Sequence, residues 1–159
     1  MIDLKKKNYI LVWIIIGALF SLTSCNNMNT IGKTKKNNYY YTNIIAKNIK
    51  MESEYKCAIV DTNFYKGKEL TNKDSPIIDN FIKCLNTKYF ISKPKDLPDK
   101  PLYKMFLTFK EDKFVINVYN KKYVSIHPWD GYYEMDFIDM TNIPSSYNLF
   151  NLCNYLIPR

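Results

Sequence analysis

Residues 103–127, YKMFLTFKEDKFVINVYNKKYVSIH, alternate apolar and polar side chains, and this alternation decides the fold. Every second residue of the first run is apolar: Tyr103, Met105, Leu107 and Phe109. A period of two places such residues on one face of a β-strand. Similar runs at 114–120, 123–127 and 132–140 follow after short polar connections. Short connections between alternating runs predict an antiparallel meander of four strands.

Helical spacing of apolar residues occurs on both sides of this meander. Residues 40–51 form the first predicted helix. The second begins at Ser75-Pro76, because serine can cap free helical amides and proline fits the first turn. Its wide apolar face includes Phe81, so we expect this helix to pack against the sheet. A third helix is predicted after a cap formed by residues 143–146.

These elements together predict the fold class. A further strand is expected at 54–61, and Lys66-Gly67 supplies a turn on either side of which the chain can pair. Residues 93–101 contain three prolines and are expected to form a constrained loop. Helices that are segregated from an antiparallel meander usually cover one of its faces. We therefore predict an α+β two-layer sandwich, in which a meander of four or five strands packs against two or three helices.

The first 24 residues have the composition of a secretory signal. Three lysines at 5–7 precede an apolar run at 10–20, and small residues follow. This run is shorter than the roughly 20 residues that a membrane-spanning helix needs. Leu22-Thr23-Ser24-Cys25 resembles the lipobox of bacterial lipoproteins. The resemblance implies cleavage before Cys25 and a diacylglyceryl group on its sulfur, whereas the alternative is an ordinary signal peptide with a chance cysteine.

The predicted organisation follows from this signal. Residues 1–24 are the signal peptide, 25–39 are the lipidated cysteine and a flexible tether, and 40–159 are a single α+β domain. The expected location is the outer face of the cell membrane, where the diacylglyceryl group on Cys25 provides the anchor.

Charge limits the classes of partner. The chain has a formal net charge of +8, and its lysines end at Lys122, whereas residues 123–158 carry four acids and no lysine or arginine. Arg159 is the only arginine, although arginine is the usual residue for bidentate phosphate contacts. We therefore expect no nucleic-acid partner. The expected partners are the membrane and an anionic envelope polymer or a protein.

Three cysteines remain besides Cys25: Cys57, Cys84 and Cys153. Their apolar neighbours favour buried thiols. An odd number cannot pair completely within one chain. A single disulfide, between Cys84 and Cys153, is the alternative that an exported location allows.

Residues 127–136, HPWDGYYEMD, contain the only histidine and one of the two tryptophans of the chain. Aromatic faces beside carboxylates suit the binding of sugars or peptides. The candidate surface for a ligand or partner comprises His127, Trp129, Asp130, Tyr132, Tyr133, Glu134 and Asp136. In the alternative interpretation, residues 129–131 are only a tight connection, with Gly131 at positive φ and Trp129 filling a gap at the edge of the core.

Catalysis is not expected from this cluster. A Cys-His or Ser-His pair requires a nucleophile next to the base, and the cysteines lie in stretches that are predicted to be buried. The acids lack the spacing of an EF-hand calcium loop, and one histidine is too few for a typical transition-metal site. We expect neither a metal nor a cofactor. The alternative is a small envelope hydrolase that acts on wall glycan or peptide through His127 and a nearby carboxylate.

Two stretches, WDGYYEMDFIDM at 129–140 and SYNLFNLC at 146–153, resemble a family of small uncharacterised lipoproteins of low-GC Gram-positive bacteria, classed as a domain of unknown function. The resemblance covers most of residues 40–156 and implies an architecture but no activity. The expected function is therefore that of a membrane-anchored, extracytoplasmic lipoprotein that acts as a non-enzymatic binding or interaction module of the cell envelope.

Overall fold

A computed structural model describes residues 35–52, 54–71, 73–131 and 134–159. The signal segment and Cys25 lie outside the described residues, as do Tyr132 and Tyr133. The described helices are α1 (Tyr40–Met51), α2 (Ser75–Cys84) and α3 (Leu149–Leu156). The described strands are β1 (Lys56–Asp61), β2 (Gly67–Glu69), β3 (Phe90–Ile91), β4 (Tyr103–Thr108), β5 (Lys113–Val118), β6 (Tyr123–Pro128) and β7 (Asp136–Asp139).

The strands form one antiparallel sheet in the order β2-β1-β4-β5-β6-β7-β3. The predicted meander is confirmed as β4 to β7. The sheet has seven strands within the described residues rather than four or five, because the β1–β2 hairpin extends one side and β3 the other. β3 contains only two residues, too few for a period of two to be visible in the sequence.

One face of the sheet is covered by the three helices, which confirms the α+β class. The strand register aligns Met105, Ile116 and Ile126 across β4, β5 and β6, and all three are fully buried. Phe81 on α2 and Leu149 on α3 are also fully buried within this core. Burial of each such side chain stabilises the fold by about 1.5–3 kcal/mol. Among the described residues, none of the helices has the length and hydrophobicity of a transmembrane span.

Two helix caps differ from the prediction. Ser75 is the first residue of α2 rather than its cap, and the cap position is occupied by Asp74, whose carboxylate instead accepts hydrogen bonds from Thr71. α3 is capped by Asn148, whose side-chain oxygen accepts hydrogen bonds from the main-chain N–H groups of Phe150 and Asn151. Residues 145–147 form a 3-10 turn before that cap, which separates the predicted serine cap from the helix.

The second face of the sheet carries no described helix. The proline-rich loop approaches it there, since the Tyr123 hydroxyl donates to the Asp96 carboxylate at 2.9 Å. Ser125 and Asn117 are buried on this face, and the Asn117 amide donates to the Ser125 hydroxyl at 3.2 Å. The sulfur of Met135 lies 3.2 Å from the same hydroxyl, so the β6–β7 connection also contributes to the cover.

Candidate functional site

Trp129 lies directly after β6, at the end of the sheet that also carries the β4–β5 turn. Its main-chain N–H donates to the carbonyl of Lys113 at 3.0 Å, which extends the pairing of β5 and β6 by one residue. Its indole meets the Phe106 ring edge-on, with 5.6 Å between ring centroids. The side chain is 58% exposed. Trp129 is therefore held by its backbone and one ring edge and does not fill the core.

Residues 129–131 begin the seven-residue connection from β6 to β7, and the positive φ expected of Gly131 is present. Gly131 has φ 96°, a left-handed conformation that a residue without Cβ adopts at little cost. Asp130 and Glu134 are exposed on either side of the undescribed pair Tyr132 and Tyr133.

A cleft of about 380 Å³ separates Trp129 from the first turns of α1. Its aromatic lining consists of Tyr40, Tyr41, Phe114 and Trp129, and its acidic lining consists of Glu111, Asp112 and Asp130. Ile44, Lys113 and Pro128 complete it. The cleft thus combines aromatic rings with carboxylates, as proposed for the 127–136 cluster, but draws most of them from other elements.

The Asp112 carboxylate also has a structural role, because it accepts a hydrogen bond from the Asn48 amide at 2.8 Å. That bond ties the β4–β5 turn to α1. Glu52, at the end of α1, accepts from the backbone amide of Lys110 in the same turn at 2.9 Å. These two contacts fix the position of the turn that provides the acidic wall of the cleft.

Four lining residues were not predicted because they lie far from residues 127–136 in the chain: Tyr40, Tyr41, Glu111 and Asp112. The predicted topology could have indicated that Glu111 and Asp112 belong to the site. In an antiparallel meander, the β4–β5 turn and the end of β6 lie at the same end of the sheet, so residues 109–112 and 129–131 are neighbours.

His127 lies on the helix-free face of the sheet and is partly buried. Its Nδ1 lies 2.7 Å from the carbonyl oxygen of Pro128 and donates to it. Burial lowers the pKa of His127, which favours the neutral ring. Ser125 shares this face, but its hydroxyl contacts Asn117 and Tyr119. Within the described residues, no carboxylate forms a hydrogen bond with His127.

Asp136 does not share the exposed surface to which the sequence assigned it. It alternates with Ile138 toward the helices and is fully buried. Its Oδ2 accepts from the Thr42 amide at 2.8 Å and from the Thr42 hydroxyl at 3.0 Å. The Lys35 ammonium lies 3.4 Å from Oδ1. Burial raises the pKa of Asp136 despite these partners, and its role is to hold the start of α1.

The three cysteine thiols within the described residues are unsuited to nucleophilic chemistry. Burial raises the pKa of Cys57 to about 12, and the pKa of Cys153 is also raised by burial. Cys84 is partly buried, and burial raises its pKa. All three of these cysteines are free thiols, so the alternative disulfide between Cys84 and Cys153 is not formed. Within the described residues, no three His, Cys, Asp or Glu side chains are grouped so that they could hold a metal ion.

Comparisons with known proteins agree with this architecture. The family DUF4883, a domain of unknown function, matches residues 35–153. The chain is also similar to a candidate lipoprotein from Clostridium perfringens, known from a crystal structure, with a TM-score of 0.70 and 31% sequence identity. That match covers 79% of this chain and 99% of the other. The comparison with curated proteins found no match.

Proposed function

This chain belongs to the DUF4883 family, and from its similarity to a candidate lipoprotein and from its exposed Trp129 we propose that it is a lipid-anchored, extracytoplasmic protein that binds a ligand or partner in the cell envelope without catalysing a reaction. The similarity to a candidate lipoprotein supports the anchor. The lipobox-like residues 22–25 supply the acceptor thiol, Cys25, ten residues before the first described residue, Lys35.

The exposed ring of Trp129 beside the 380 Å³ cleft is the observation that supports binding. Exposing a tryptophan forgoes the gain of about 1.5–3 kcal/mol that burial of a large apolar side chain provides. A flat aromatic surface can stack on the apolar face of a sugar ring or on a peptide side chain. The carboxylates of Glu111 and Asp130 can accept hydrogen bonds from hydroxyl or amide groups of the same ligand. Wall glycan and its peptides present all of these groups.

The arrangement around His127 supports a non-catalytic role. A general base must lie within hydrogen-bond reach of the proton that it removes, and its orientation requires a third group. The contact of Nδ1 with Pro128 points one ring nitrogen back to the chain. The hydroxyl of Ser125 contacts other side chains on the same face, and Asp136 lies on the opposite face.

Binding to insoluble wall sacculi and to soluble muropeptides tests the proposal. Trp129→Ala should weaken binding about tenfold, a loss of about 1.4 kcal/mol, because stacking on the indole is removed. Tyr155→Ala is the matched control, since Tyr155 is 79% exposed but lies on α3 outside the cleft. Both variants should remain folded.

Three results would contradict the proposal. The wild-type chain could fail to bind either probe, or the two variants could bind equally well. Release of soluble wall fragments by the wild-type chain, abolished in His127→Ala, would instead support the hydrolase alternative.

A further inference from the structure

A second cleft, of about 400 Å³, lies between α1 and α2 and shares no lining residue with the Trp129 cleft. Its floor is apolar and consists of Ala46 and Ile49 from α1 and Ile82 from α2. Ile82 is part of the core, whereas Ala46 and Ile49 are only partly buried. The helical layer therefore presents an apolar strip toward solvent.

Three exposed lysines border this strip: Lys47, Lys50 and Lys83. α1 contains no acidic residue along its whole length. The one acid in the lining, Asp79, accepts a hydrogen bond from the Tyr55 hydroxyl at 2.9 Å. The cleft consequently carries an excess of positive charge beside apolar atoms.

Met51, the last residue of α1, is a further exposed apolar side chain near this end of the helix, although it does not line the cleft. It follows Lys50 directly and is 72% exposed. Lysines beside exposed apolar side chains are typical of surfaces that lie in the interface of a membrane, where the ammonium groups meet headgroups and the apolar atoms leave water.

We propose that the outer face of α1 and α2 docks onto the anionic lipids of the membrane that carries the Cys25 anchor. The inference rests on the anchoring part of the proposed function. A lipid surface suits the cleft better than a soluble polyanion does, because only lipid offers an apolar layer to Ala46 and Ile49.

The short length of chain between Cys25 and the first described residue, Lys35, allows weak docking to be sufficient. Residues 25–34 span at most about 35 Å when fully extended, so the anchor keeps the domain close to the bilayer. Docking is then an intramolecular event with a high effective concentration. Each lysine near an anionic leaflet strengthens binding roughly fivefold, so three act together even though each contributes little.

Hydrogen exchange of the lipidated full chain in vesicles tests the docking. We expect peptides from 40–51 and 75–84 to exchange several-fold more slowly in vesicles that contain phosphatidylglycerol than in pure phosphatidylcholine. The variant Lys47→Glu/Lys50→Glu/Lys83→Glu should lose this difference. The control Lys93→Glu/Lys95→Glu/Lys100→Glu makes the same charge change at exposed sites of the proline-rich loop and should retain it.

The proposal would be overturned if peptides 40–51 and 75–84 exchanged hydrogen equally fast in the two vesicle types. It would also be overturned if the control variant lost the difference between vesicle types as completely as the Lys47/Lys50/Lys83 variant. Slowing of the same peptides by a soluble polyphosphate in neutral vesicles would identify a polymer site instead. Flotation of each sample reports the anchor separately. A chain that floats without protection of α1 and α2 contradicts only the docking, whereas a chain that does not float contradicts the anchoring. Thermal melts confirm that each variant is folded, and the Lys→Gln version at the same three positions replaces any variant that is not.

Discussion

Arg159 and Asp61 form a bidentate ion pair that joins residue 159 to the end of β1. Arg159 Nε lies 2.7 Å from Oδ2 of Asp61, and Nη2 lies 3.0 Å from Oδ1. Asp61 is 1% exposed and also accepts the main-chain N–H groups of Asn63 and Phe64. The guanidinium lies over the Tyr103 ring, 5.1 Å from its centroid. The only arginine of the chain therefore has a structural role.

Replacing Arg159 should weaken the fold. Arg159→Ala removes two charge-assisted hydrogen bonds from a buried carboxylate, so we expect a loss of about 1.5–3 kcal/mol in the free energy of unfolding. Arg159→Lys should lose less, because it keeps the charge but not the fork geometry. Urea denaturation measures both variants, and a loss below about 0.5 kcal/mol in the alanine variant would show that the pair contributes little.

The same pair should make stability depend on acid. The hydrogen bonds from Arg159 hold the pKa of Asp61 at about 2, well below its ordinary value. A carboxyl group with a depressed folded-state pKa stabilises the fold above its unfolded pKa of about 3.9, and this contribution is lost as the pH falls toward 2. Asp61→Asn cannot titrate. The difference in stability between wild type and Asp61→Asn should therefore shrink between about pH 4 and pH 2 in denaturant melts, and a constant difference would contradict this assignment.

Asp136 should tolerate an amide but not an apolar side chain. Asp136→Ala leaves the amide and hydroxyl of Thr42 and the ammonium of Lys35 without their buried acceptor, at a cost of about 1–3 kcal/mol. Asp136→Asn retains one acceptor oxygen and removes a charge that burial disfavours, since the pKa of Asp136 is raised. We expect the asparagine variant to lose clearly less stability than the alanine variant in chemical denaturation. Equal losses would show that the charge is essential.

Phe81 should be the most costly position of α2 to truncate. The side chain is fully buried beneath the sheet, and Phe81→Ala should cost roughly 3–5 kcal/mol. Phe64→Ala is the control, because Phe64 is 65% exposed and its loss should cost within about 0.5 kcal/mol. A loss below about 1 kcal/mol at Phe81, measured by denaturant melts, would be incompatible with the two-layer packing.

Cys25 should be the point of membrane attachment. Cys25→Ser cannot form the thioether, so we expect the chain to remain unprocessed in the membrane or to be shed. Metabolic labelling with a radioactive fatty acid, followed by fractionation, measures the result. Processing and anchoring of the variant as in wild type, with insensitivity to globomycin, would refute the lipobox.

The sequence predicted the meander because its alternation is long and uninterrupted. Met105, Ile116 and Ile126 each belong to runs in which every second residue faces the helices. The same pattern contained the position of Asp136, which alternates with Ile138 and Met140 toward the core. Asp136 was predicted to lie on the candidate surface because of its charge, whereas its register in β7 places it in the core.

Single residues at the ends of elements could not be placed in the same way. Trp129 is one residue beyond β6, and its exposure depends on how the Phe106 ring and the β4–β5 turn pack, which the alternation does not reveal. The cap of α2 was misplaced because Asp74 and Ser75 are both good cap residues, and the choice depends on the bond from Thr71 to Asp74. Tyr40 lines the cleft because α1 packs beside it, and this packing cannot be predicted from the local sequence.

The two edge strands of the sheet, β2 and β3, affect how closely packed copies of the protein would associate. β2 has three residues and β3 has two, and Lys68 occupies the centre of β2. Confinement to one plane by the proposed anchor at Cys25 would bring neighbouring copies together side by side, which favours pairing of unprotected strands between molecules. Edge strands this short offer few main-chain hydrogen-bonding groups to a neighbouring molecule, and the lysine on β2 disfavours close approach. The fold is thus suited to high surface density without association into continuous intermolecular sheets.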